Sequence, residues 1–135
     1  VSAMKKKIIL TVIIIVAIIV LVAVIMVKRA NSNLENLAGL PLGNVDLEAV
    51  SDGKYSGSYT AFPVSAVVAV TVENHQITRV DLIEHSHGQG APGEAVIDRV
   101  LQDQSLQVDL VSGATYSSKV ILLAIEDALN RLNKE

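Results

Sequence analysis

The chain has 135 residues and no cysteine, with 11 Lys and Arg against 14 Asp and Glu. The lack of cysteine excludes disulfides, iron–sulfur clusters, thiolate metal sites, a thiol nucleophile and a lipidated-cysteine anchor. All 14 acidic residues lie beyond Arg29, together with only six basic ones; this argues against nucleic acid as a partner, because such binding rests on neutralising phosphates.

Met4-Lys5-Lys6-Lys7 and the apolar run behind it resemble a bacterial export start. Residues Ile8 to Val27 carry no charge and only one polar residue, Thr11. That run is long enough for one membrane-spanning helix, which needs roughly 20 residues. It is too long for the apolar core of a cleaved signal, and no small-x-small site closes it. An uncleaved anchor over 8–27 is expected, after a basic tail over 1–7. Three lysines precede the span and Lys28 and Arg29 follow it. The positive-inside rule then places the N-terminus in the cytoplasm and the rest of the chain outside the cell membrane, in a single pass.

Residues 28–52 hold Asn, Gly, Pro and scattered Leu, and read as a linker with a helical turn at Leu34–Leu37. A domain is expected over 53–135. Tyr55–Tyr59 and Val64–Val72 read as strands. In the second, Val64, Ala66, Val68, Val70 and Val72 alternate with Ser65, Ala69 and Thr71, the period of a half-buried strand. Asn74 suits a tight turn, because it tolerates the left-handed conformation. Ile77–Glu84 then returns as the partner strand, with Val80 and Leu82 facing the core.

His85–Gly90 is a glycine-containing loop, and Pro92 opens a helix with the stripe Val96, Ile97, Val100 and Leu101. Val108–Val111 reads as a further strand. Ser117–Asn133 reads as a long helix, with Ile121, Ile125, Ala128, Leu129 and Leu132 at helical spacing. The order β-β-β-α-β-α predicts a small α+β domain with two helices packed on a mainly antiparallel sheet.

The segment Asp109-Leu110-Val111-Ser112-Gly113-Ala114-Thr115-Tyr116-Ser117-Ser118 carries the chemistry. Small residues let a ligand approach the backbone, hydroxyls donate hydrogen bonds, and the first N–H groups of the helix attract an anion. On these residues alone two readings stand: a phosphate site, or Ser112 or Thr115 acting as an ordinary helix cap.

The stretch resembles the flavinylation motif of the FMN-binding domain family, Asp-x-x-(Ser/Thr)-Gly-Ala-(Thr/Ser). The family includes periplasmic flavin subunits of sodium-pumping NADH:quinone reductases and many small membrane-anchored flavoproteins. The resemblance runs from about Val45 to Leu132, including Asp52-Gly53-Lys54-Tyr55, Gly57 and the hairpin ending in His85. It implies that Thr115 carries FMN on its hydroxyl as a phosphoester, made by a flavin transferase from FAD and a divalent metal. It implies that Asp109 opens the motif, that Ser112, Gly113 and Ala114 form its turn, and that Ser117 and Ser118 follow the acceptor. The cofactor is thus expected to be covalent FMN, and the chain to relay electrons between redox partners of the membrane and the extracytoplasmic space. The alternative is a module of the same fold that binds flavin loosely or not at all.

His85 and His87 are expected near the flavin phosphate or ring. No metal site is expected from them, since zinc needs three or four protein ligands and the local sequence supplies no third. No catalytic acid–base pair is visible, which favours a carrier over a stand-alone enzyme.

Overall fold

The computed structural model describes residues 2–86 and 91–130. It divides into two units, Val1–Ser32 and Asn33–Glu135. The first is helical. Helix α1 (Ser2–Gly39) runs through it and ends in the second unit. Its apolar side chains from Ile8 to Val27 are largely exposed. It is the one helix, among the described residues, long and apolar enough to cross a membrane. Thr11, the one polar residue of that apolar run, donates its hydroxyl to the Lys7 carbonyl at 2.8 Å, the back-bond a helical threonine commonly makes.

The second unit is α+β. Strands β1 (Gly53–Ala61), β2 (Val64–Glu73) and β3 (Gln76–Ser86) form an antiparallel sheet in the order β1-β2-β3. Asn74 and His75 connect β2 to β3, both at positive φ, 52° and 62°. A two-residue hairpin needs that conformation to match the twist of its strands. Alternation in β2 buries Val64, Ala66, Val68, Val70 and Val72 on one face. On β3 the best buried residue is Ile77; Val80 and Leu82 are half-buried.

Helix α3 (Thr115–Asn130) lies on the sheet against β1 and β2. Their approach is set by Gly57: a Cβ there would stand 2.2 Å from the Ala124 carbonyl oxygen and 2.4 Å from the Ala128 nitrogen. The small Ala124 and Ala128 complete the contact. From Ser117 to Ile125 every residue of α3 is buried, so the helix forms the middle of the core. A 3₁₀ segment (Ala91–Ala95) and helix α2 (Val96–Asp103) cover one side of it, with Val96 and Val100 facing inward. Gln104 ends α2 in the left-handed conformation and pairs its amide with both backbone groups of Ile77.

Three expectations change. Val108–Val111 is not a strand. Its Val108, Leu110 and Val111 pack half-buried on the core, but its backbone is bonded by side chains: Arg99 to the Asp109 carbonyl and Ser118 to the Val111 N–H. Sheet pairing is thus replaced by side-chain bonds. The helix expected from Pro92 starts as 3₁₀ and becomes α only at Val96. Part of the expected linker belongs to the folded unit: Leu37 and Val50 are buried, and Leu34, Leu42, Val45 and Leu47 pack on the same core. A three-stranded sheet and its helices leave apolar surface that these residues cover. Leu132 lies outside the described residues.

Candidate functional site

The site is built at the start of α3, which begins at Thr115, two residues earlier than its apolar spacing predicts. Immediately before it, the Ala114 N–H donates to the Val111 carbonyl at 3.0 Å, closing a four-residue turn. Gly113, its third residue, has φ +79°, a conformation glycine adopts without a steric cost. The first helical bond runs from the Ser118 N–H to the Ala114 carbonyl, also at 3.0 Å. Ala114 therefore stands in the capping position.

That placement decides between the two readings of the hydroxyls. An alanine has no side-chain oxygen with which to cap. Neither Ser112 nor Thr115 takes over the task. Among the described residues, the N–H groups of Thr115, Tyr116 and Ser117 have no hydrogen-bond partner. Ser112, Gly113, Thr115 and Tyr116 are exposed, and the space around Gly113 is open to beyond 4 Å. An exposed hydroxyl thus sits beside three donors that favour an anion.

Two side chains hold this arrangement from behind. Ser118, fully buried, donates its hydroxyl to the Ala114 carbonyl at 2.8 Å and accepts from the Val111 N–H at 3.1 Å. It is turned into the turn, away from the exposed face. Arg99 donates to the Asp109 carbonyl at 2.6 Å and fixes the incoming chain. The Asp109 residue itself is exposed. Ser117 is buried beneath the 3₁₀ segment: a Cβ on Gly93 would come within 2.8 Å of its Cβ and 3.0 Å of the Ser118 nitrogen.

The family's sequence profile, the FMN-binding domain, matches residues 63–130. The chain belongs to the FMN-binding domain family. Residues 63–130 take in β2, β3, both packed helices and the whole motif from Asp109 to Thr115. The chain is also similar to urocanate reductase of Eggerthella lenta, with 38% identity over 66 residues. The match covers 47% of this chain and 11% of that protein, so it concerns one segment of a much longer relative. FMN is accordingly the cofactor to test against the site. The residues fit it: a phosphate needs donors and room, and the uncapped, exposed start of α3 has both.

His85 reaches the same neighbourhood through the 3₁₀ segment. Its side chain is 3% exposed and its Nδ1 lies 3.0 Å from Glu94 Oε1. Glu94 adjoins Gly93, which packs on Ser117 and Ser118. His87 lies outside the described residues. Gly93, Glu94, Arg99 and Lys119 lie outside the motif and are recognised only from the structure. For Gly93 the signal was a glycine beside Pro92 in a helical pattern; for Lys119 it was a lone charge inside an apolar helix. Nothing local marks Arg99 as a partner of the motif. Among the described residues no group of three or more His, Asp and Glu is placed to hold a metal ion.

Proposed function

We propose that this chain is a membrane-anchored, extracytoplasmic electron carrier with FMN joined covalently to Thr115. The single observation that carries the reading is the start of α3. Thr115 is exposed there, Ala114 cannot cap, and the N–H groups of residues 115–117 await an anion. The apolar span of α1 supports the anchor, and the lysines ahead of it support a cytoplasmic N-terminus.

Attachment balances as a phosphoryl transfer. The Thr115 Oγ1–phosphorus bond forms, the diphosphate bond of FAD breaks, AMP leaves, and the hydroxyl proton goes to solvent. A flavin transferase with its divalent metal supplies the catalysis. The product is a diester with one negative charge, which the α3 N–H groups stabilise. Bound FMN supplies one- and two-electron redox chemistry. The protein holds the phosphate, and the Ser118 and Arg99 bonds keep the turn in place. Exposed Asp109 is available to the transferase as a recognition feature. Membrane or extracytoplasmic redox proteins would deliver and remove electrons. The likeness to one segment of a reductase fits a carrier that serves a separate catalytic body.

The test is the mass of the protein co-produced with a flavin transferase. The wild-type chain should gain one FMN less one water, and the flavin should stay with denatured protein. Thr115→Val removes only the acceptor oxygen and should abolish the gain; Thr115→Ser should retain part of it. Asp109→Ala should lower the yield. An unmutated chain that never gains the mass would make the loosely binding module the better account.

A further inference from the structure

Lys119 is 8% exposed, although lysine is among the residues least often buried without a partner. Among the described residues its side chain takes part in no hydrogen bond or ion pair. Burial of a lysine to this degree covers its apolar stem, and the length of the stem lets the ammonium keep to the edge of the core.

Position 119 is one helical turn beyond Thr115, and residues four apart share a helix face. Long side chains on a helix lie back over the preceding turn. By that preference the Lys119 stem is directed toward the start of α3, where Thr115 is exposed and three N–H groups are unpaired. Several other charged groups of the domain are engaged elsewhere. Arg79 pairs with Asp81 at 2.7 Å, and Arg99 holds the Asp109 carbonyl. On α3 itself, Glu126 accepts from the Gly43 N–H at 3.4 Å and Asp127 from the Ser58 N–H at 3.0 Å.

We propose that Lys119 is the counter-ion of the phosphodiester on Thr115: it binds the anion that the uncapped helix start admits. In the flavin-free chain its ammonium is held without a partner. Attachment of FMN supplies one and completes the site with a charge-assisted bond. The role rests on Thr115 being the acceptor.

The test uses the full chain in detergent, made with and without a flavin transferase, with FMN attachment read first by mass. Acetic anhydride is then applied, and acetylation of each lysine is followed by peptide mass. Attachment should slow acetylation of Lys119 by about tenfold, the factor of a bond to a charged group. Exposed Lys54 should react at the same rate in both forms. Steric cover is separated from charge by melting temperature. Attachment should raise it in wild type and Lys119→Arg by about 4 °C more than in Lys119→Met. Unchanged acetylation of Lys119, or equal rises in the three proteins, would overturn the role of Lys119 while leaving Thr115 as acceptor. A wild-type chain that gains no FMN would overturn both, and the mass alone reports that outcome.

Discussion

The Ser118 hydroxyl donates to the Ala114 carbonyl across one helical turn, at 2.8 Å, and with its lone pair holds the Val111 N–H at 3.1 Å. One buried side chain thereby clamps both ends of the turn that presents Thr115. Ser118→Ala removes the clamp and strands the Val111 donor. The expected cost is about 1–2 kcal/mol, read as a lower urea midpoint at unchanged slope. The yield of covalent flavin should fall with it. An unchanged midpoint would show that the clamp adds nothing to stability.

Three glycines should respond to alanine in different ways. At Gly57 the added methyl meets the α3 backbone at 2.2 and 2.4 Å, and backbone cannot step aside. Gly57→Ala is expected to cost about 3 kcal/mol or more, or to prevent folding. At Gly93 the nearest atoms are the Ser117 Cβ at 2.8 Å and the Ser118 nitrogen at 3.0 Å, so a smaller loss is expected together with a displaced start of α3. At Gly113 nothing is in the way, and only the φ of +79° is strained; about 1–2 kcal/mol is expected. Denaturant melts of the three variants should fall in that order, and a Gly57→Ala protein as stable as wild type would contradict the packing of α3 on β1.

His85 is held against Glu94, next to the segment that covers Ser117. His85→Ala with His87→Ala should alter the visible spectrum or potential of attached flavin without preventing attachment. Spectroscopy and redox titration of the flavinylated variant decide the matter. An identical spectrum and potential would make both residues bystanders.

Protease added to intact spheroplasts should digest the domain that follows the anchor and leave a membrane-held N-terminal fragment. The expectation follows from the uncharged run Ile8–Val27 behind three lysines. Complete protection of the domain would reverse the orientation, and a mature N-terminus near Ala30 would remove the anchor.

The sequence by itself determined the features that repeat over a few residues. An apolar run marks a helix long enough to cross a bilayer, because length and composition are local properties. Alternation marks the buried face of β2, and Asn74 marks its turn, because each reports local backbone geometry. The motif from Asp109 to Thr115 was legible as a string, and with it the family. Only the tertiary structure decided what separate segments do to one another. It placed Thr115 inside the helix instead of before it, because Ser118 and the turn fix where helical bonding begins. It turned Val108–Val111 away from the sheet, because Arg99 and Ser118 bond its backbone instead. It drew Leu37 and Val50 into the core, brought His85 to Glu94, and covered the stem of Lys119. Each of these depends on a distance between residues brought together by packing, and no local period records such a distance.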